Sequence, residues 1–157
     1  MTDLKQIECF FADVFQTIQK VMATKSEYKY SGATINLIMQ KEKKIYCLNL
    51  GDNRSFLFQS YGKNLKKEII QLSIEQNFCR DLEKERLRQV TALTNLNTKE
   101  KYSRVYPFKG KQVIENFMVT RTLGDSESHL FGVSPVPEIT CKDKEKEDKF
   151  IFIGNCQ

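Results

Sequence analysis

No apolar run in this chain approaches the roughly 20 residues that a membrane-spanning helix needs, so no membrane contact is expected. Histidine occurs once, at His129, which excludes a metal centre built from clustered imidazoles. His129 is expected as an exposed loop residue rather than a general base. The five cysteines, Cys9, Cys47, Cys79, Cys141 and Cys156, are odd in number and lack paired C-x-x-C spacing. That excludes a disulfide framework and a zinc ribbon, and it fits a reducing cytoplasmic compartment. Met1-Thr2-Asp3-Leu4 carries an early acid and no basic stretch ahead of an apolar block, so no secretory signal is expected.

What is present is an ordinary globular balance. The 157 residues, 40% hydrophobic and 29% charged, suit one domain spanning 1–157. The formal charge of +5 comes from 25 basic and 20 acidic residues. The two signs are interleaved, as in Lys142-Asp143-Lys144-Glu145-Lys146-Glu147-Asp148-Lys149, which reads as a solvated loop. Nucleic acid is therefore not an expected partner. Lys41, Lys43 and Lys44 with Lys63, Lys66 and Lys67 could form one positive edge for an acidic polymer such as a cytoskeletal tail, although solubilising lysines explain them as well.

Periodicity organises the chain. Ile7, Phe10, Phe11, Val14, Phe15, Ile18, Val21 and Met22 recur at helical spacing, which predicts an amphipathic helix capped by Thr2 or Asp3. Beyond Thr24-Lys25-Ser26-Glu27 the period changes. Strands are predicted over residues 30–39, 45–50, 54–59 and 68–72, as a meander of adjacent antiparallel strands. A polar helix over 81–90 would turn Leu82, Leu87 and Val90 inward. Residues 91–112 read as irregular, and 118–123 as a short helical turn. Strands are predicted again over 136–140 and 150–153. The second is apolar throughout, as for a strand covered on both faces.

Two Gly-Asp pairs stand out, in Gly51-Asp52-Asn53-Arg54 and in Thr120-Arg121-Thr122-Leu123-Gly124-Asp125. Such pairs at strand ends put carboxylates on a sheet rim, where metal and phosphate chemistry is done. Taken in order with Ser31-Gly32-Ala33-Thr34, Leu72-Ser73, Glu83-Lys84-Glu85-Arg86 and Gly132-Val133-Ser134-Pro135-Val136-Pro137-Glu138-Ile139, they resemble the metal-dependent serine/threonine protein phosphatases of type 2C. Phe150-Ile151-Phe152-Ile153 is similar to the strand before that family's Ala-Ser-Asp-Gly motif. The resemblance implies an α+β fold, an α/β sandwich of largely antiparallel sheets with flanking helices.

The resemblance also implies hydrolysis of phosphoserine and phosphothreonine by water activated on paired Mg²⁺ or Mn²⁺ ions, which need several carboxylate oxygens. Those carboxylates belong to an Asp-Gly-His-Gly-Gly strand end, to Ala-Ser-Asp-Gly and to a late Asp-Asn, none of which is present here. Gly154-Asn155-Cys156-Gln157 stands where Ala-Ser-Asp-Gly belongs, with Cys156 at the metal-binding Asp. Strands at both ends of the family's domain are expected to be missing.

Asp52 is the one candidate metal contact, at the position that serves an outer ion in the family; a turn cap or a partner of Arg54 is its structural alternative. Asp125 is expected to close an Asx-type turn. Cys156 reads as a spectator thiol, and Ser31 lacks a base. The expected function is a degenerate phosphatase-like domain that acts through binding or assembly, with no cofactor of its own. The alternative is a fragment of an active enzyme, or a site completed by another chain, holding Mg or Mn. Unpaired sheet edges would make it a homo-oligomer or a subunit bound to a protein partner.

Overall fold

The computed structural model describes residues 3–62, 66–90, 108–109, 112–113 and 118–155. Lys63 and Cys156 lie outside the described residues, as does most of the stretch expected to be irregular.

The chain opens with helix α1 (Asp3–Ala23), followed by a 3-10 turn at Ser26–Tyr28 and a two-residue strand, β1 (Gly32–Ala33). Four longer strands follow: β2 (Ile35–Lys41), β3 (Lys44–Leu50), β4 (Arg54–Tyr61) and β5 (Lys66–Gln71). After helix α2 (Asp81–Val90) come the short strands β6 (Phe108–Lys109), β7 (Gln112–Val113) and β8 (Leu123–Gly124). The 3-10 turn Ser128–Phe131 leads to β9 (Glu138–Asp143) and β10 (Asp148–Gly154).

The expected meander is divided between two antiparallel sheets, ordered β2-β3-β9 and β10-β4-β5. The chain changes sheet at Gly51-Asp52, between β3 and β4. Small pairs β1-β8 and β6-β7 complete the described strands.

The sequence of β3 explains the layering. Side chains alternate across a strand, and β3 is apolar on both faces. Tyr46, Leu48 and Leu50 pack with Phe15, and with the less buried Leu4, Ile7, Phe11 and Val14, under α1. Ile45 and Cys47 face the other way, onto Leu57, Leu72 and Ile151 of the second sheet. The result is helix on sheet on sheet, with β3 at the centre.

The α1 stripe is narrower than its apolar residues suggest. Phe10, Ile18 and Val21 are exposed, and the buried turn is completed by Gln19. Its amide accepts from the Gly124 N–H at 2.7 Å and donates to the Gly124 carbonyl at 3.1 Å.

Two other expectations are corrected. In α2, Leu87 is buried but Leu82 is exposed, because Glu83 takes the inward position to meet two arginines. Leu82→Ala is accordingly expected to change stability by less than about 0.5 kcal/mol, while Leu87→Ala costs about 2–5 kcal/mol in chemical denaturation. Residues 118–123 are extended rather than helical, bridging Asn77 through Val119 and Ser134 through Arg121 before entering β8.

The apolar β10 is covered on one face only. Ile151 points into the core, whereas Phe150 and Phe152 stand exposed on the outer face of the second sheet.

Candidate functional site

Three separated segments meet at one rim of the sandwich. Gly51 ends β3 with φ of 102°, a left-handed conformation that suits glycine, and a Cβ there would lie 2.3 Å from Thr34 Cγ2. Thr34 Oγ1 donates to Asn53 Oδ1 at 3.1 Å and accepts from Asn155 Nδ2 at 3.4 Å. The Ser31–Thr34 segment, the Gly51-Asp52-Asn53 turn and the end of β10 are thereby brought together.

Beneath the rim lie amides and hydroxyls bonded to one another, with Gln76 also donating to Glu138 Oε2 at 3.2 Å. Asn49 Nδ2 donates to the carbonyls of Gly51 and Ile74, both at 2.9 Å. Asn53 Nδ2 donates to Leu50 O at 3.1 Å and Asn49 Oδ1 at 3.3 Å. Gln76 accepts from Gly51 N–H at 2.7 Å and donates to Asn49 O at 3.1 Å. Ser73 Oγ accepts from Ser55 N–H at 2.8 Å and donates to Asn53 O at 3.0 Å. Buried groups paired this fully hold the turn in one geometry.

Asp52 stands at this rim half-buried. Burial pushes its carboxyl above the usual range, the charge of Glu75 adds to that, and its own backbone N–H and Arg54 act against it. The Arg54 guanidinium forks onto Glu75, with Nε at 2.6 Å from Oε1 and Nη2 at 3.2 Å from Oε2. Among the described residues, no three His, Cys, Asp or Glu side chains come close enough to hold a metal ion.

The second Gly-Asp pair serves the scaffold. Asp125 has φ of 46°, and its N–H donates to Ser31 O at 2.8 Å. Its carboxylate lies over Gly32, where a Cβ would come within 2.0 Å of Oδ2. The turn that follows is held by the main-chain carbonyl of Asp125, which accepts from Ser128 N at 2.8 Å and Ser128 Oγ at 2.6 Å. The expected Asx turn through the carboxylate is replaced by this arrangement. Ser31 is exposed.

His129 is partly buried rather than exposed, with Nε2 enclosed and without a hydrogen-bond partner among the described residues. Burial pushes its pKa below 6.5, against the backbone of Gly124 and Thr122. A depressed imidazole favours the fold above 6.5, the value of the unfolded chain, and opposes it as pH falls through the lower folded value. Melting temperatures between pH 5 and 8 should fall on the acid side, and His129→Asn should flatten that slope.

A buried ion cluster links the remaining motifs, and sequence reasoning missed it. Glu83 of α2 accepts from Thr120 Oγ1 at 2.7 Å, Arg86 Nη2 at 3.0 Å and Arg121 Nε at 3.2 Å. Arg121 also donates to Val136 O at 2.9 Å and lies 3.6 Å from Glu138, which pairs in turn with Arg80. Burial alone would raise the Glu83 carboxyl; hydrogen bonds and charge from Arg121, with Thr120 and Arg86, hold it at about 2 instead. The charged run Glu83-Lys84-Glu85-Arg86 was its only signal.

Helix on sheet on sheet, with the Gly51-Asp52 turn at one rim, is a fold shared with solved structures. A serine-threonine phosphatase 2C from Toxoplasma gondii has this fold, with a TM-score of 0.73 at 13% identity over 95% of this chain and 50% of that one. A C. elegans sex determining protein matches with a TM-score of 0.64 at 19% identity, over 88% of this chain and 31% of that one. A bacterial serine phosphatase matches with a TM-score of 0.55 at 19% identity, over 96% and 49%.

The chain belongs to the protein phosphatase 2C family, whose sequence model, Protein phosphatase 2C, matches residues 3–156. No curated protein matches it. It spans about half the length, or less, of these solved structures.

The family is metal-dependent, so the rim can be tested against that requirement. Hard divalent ions need several anionic oxygens. Asp52 supplies one carboxylate, and the amides of the adjoining turn are committed to each other. The described donors do not fit a pair of such ions.

Proposed function

We propose that this chain is a phosphatase 2C-like domain that does not hydrolyse phosphate on its own and acts as a binding or structural subunit. One observation carries the reading: at the rim where the family's motifs converge, Asp52 stands among amides and hydroxyls that satisfy one another. The arginine of the Thr-Arg-x-x-Gly-Asp motif is committed as well, since Arg121 is turned inward onto Glu83. The polar groups serve rigidity rather than ion binding. No helix among the described residues is long and apolar enough to cross a membrane.

The half-length match to the phosphatase structures favours one second reading, in which polypeptide outside this sequence supplies the remaining carboxylates and an Mg- or Mn-dependent site is completed. One assay separates the two. The chain is incubated with p-nitrophenyl phosphate and a phosphothreonine peptide at about 5 mM Mn²⁺, a concentration that fills weak sites. The first reading expects no turnover above the metal blank. Turnover that needs Mn²⁺ and disappears in Asp52→Ala would overturn it.

A further inference from the structure

The end of the sandwich opposite the rim is where β2 turns into β3, β4 ends and β5 begins, and β9 turns into β10. Main-chain bonds hold these turns in a row. The Lys144 N–H donates to Lys43 O at 2.7 Å, and the Ser60 N–H donates to Glu147 O at 2.9 Å. Ser60 in turn lies opposite Lys67 across β4 and β5. With sheets about 10 Å apart and neighbouring strands about 5 Å apart, the row from Lys43 to Lys67 runs about 20 Å.

Lys41, Lys43 and Lys44 stand on the first turn, Lys66 and Lys67 at the second, and Lys142, Lys144, Lys146 and Lys149 on the third. All but Lys142 are exposed. Against these nine lysines stand six acids, Glu42, Glu68, Asp143, Glu145, Glu147 and Asp148, whereas the other described residues hold 11 basic and 12 acidic groups. The positive excess of the described residues therefore lies at this end. Local bonds occupy half of its acids. Glu145 accepts from Lys142 at 2.6 Å, Asp143 lies 3.9 Å from Lys44, and Asp148 accepts from Gln59 Nε2 at 2.7 Å and from the Glu145 N–H at 2.9 Å. Lys144 reaches Gln40 Oε1 at 3.1 Å rather than a carboxylate. Lys43, Lys66, Lys67 and Lys146 form no ion pair among the described residues.

We infer that this lysine row is a docking surface for an acidic polypeptide segment, which lies across the three turns with its carboxylates among the ammonium groups. An extended segment advances about 3.3 Å per residue, so about six residues cover the row, and alternate side chains fall about 7 Å apart. Charges at that spacing leave room for Glu42, Glu68 and Glu147, which stand among the lysines. A nucleic acid is the poorer match. A duplex carries a charge about every 1.7 Å and would meet those three carboxylates. The turns contain no arginine to grip a phosphate bidentately, and their one aromatic residue, Tyr61, donates its hydroxyl to Gln59 Oε1 at 2.6 Å.

Each solvated contact is weak alone, so the row acts through number, and salt should screen it. The surface lies at the far end of the strands from Asp52. The inference therefore holds whether or not the chain hydrolyses phosphate.

Fluorescence anisotropy of the intact chain tests it, with a fluorescein-labelled peptide of about ten glutamates, long enough to cross the row. Saturable binding is expected at about 50 mM salt, weakening at least about tenfold by about 300 mM, and a glutamine peptide of equal length should not bind. Lys43→Glu, Lys67→Glu and Lys144→Glu together should weaken binding at least about tenfold. Lys5→Glu, Lys20→Glu and Lys25→Glu, an equal change in net charge on and beside α1, should leave it within about threefold. Should the first variant fold poorly by circular dichroism, hydrogen exchange of the unmodified chain decides: added peptide should slow the amides of residues 41–44 and 144–147 and leave those of α1 unchanged. Absence of binding, an equal loss in both variants, or tighter binding of an oligothymidylate of equal charge or of phosphatidylserine vesicles would each overturn the inference.

Discussion

Glu83→Ala is expected to lower the unfolding free energy by about 3–5 kcal/mol, the cost of stripping one partner from a buried ion pair. The side chain of Glu83 is 2% exposed, and that of Arg121 is 11% exposed. Removing the carboxylate leaves the Arg121 guanidinium with Val136 O and a 3.6 Å approach to Glu138, and it deprives Thr120 and Arg86 of their shared acceptor. A domain of this size holds only about 5–15 kcal/mol in total, so the variant should be partly unfolded near physiological temperature. Glu85→Ala, two residues on and paired with Arg88 at 3.6 Å in solvent, is the matched control, with an expected change below about 1 kcal/mol. Urea midpoints at constant m-value report both.

The same carboxylate makes the fold sensitive to acid. Its folded pKa of about 2 lies below the ordinary 4.5. Its stabilisation is complete above 4.5 and is lost as pH falls towards about 2. Glu138 is depressed too, with burial opposed by Arg80, Arg121 and Gln76, and it adds in the same direction. Wild-type stability should therefore drop steeply below pH 4.5, and Glu83→Gln should reduce that slope.

Gly124→Ala is the second large effect, expected at more than about 3 kcal/mol because strain and steric overlap act together. Gly124 has φ of 85°, and an added Cβ would meet Ser31 O at 2.1 Å and Gly32 Cα at 2.8 Å. Both are backbone atoms and neither can swing aside. The β1-β8 pair would have to open, and Gln19 would lose the N–H and carbonyl it holds. Gly62→Ala isolates the backbone term: φ is 62° and no atom of the described residues lies within 4 Å of the added carbon. That change should cost only about 1–2 kcal/mol.

These two positions show what the sequence made legible. The Gly-Asp pairs were readable as rim turns, since a glycine that ends an apolar run marks a left-handed turn. β3 was readable from its apolar run, and α1 from its spacing. Glu83 was not, because charged residues on a short polar helix are ordinarily solvated, and only the arrival of Arg121 from a distant segment makes burial favourable. Gln19 was hidden for the same reason: its partner is the backbone of Gly124, which no side-chain pattern reveals.

The exposure of Phe150 and Phe152 was misread because an apolar strand looks alike whether another layer covers it or not. Asp52 lies at the rim, but the Asn49, Asn53 and Asn155 amides and the Thr34 hydroxyl linked around that turn are not singled out by pattern and charge.

The central claim is that the rim lacks the anionic oxygens to retain divalent ions, and titration calorimetry with Mn²⁺ tests it most directly. The account predicts no saturable heat at micromolar metal, and at most one contact in the millimolar range that vanishes in Asp52→Asn. Two ions taken up by the isolated chain with micromolar affinity would contradict it.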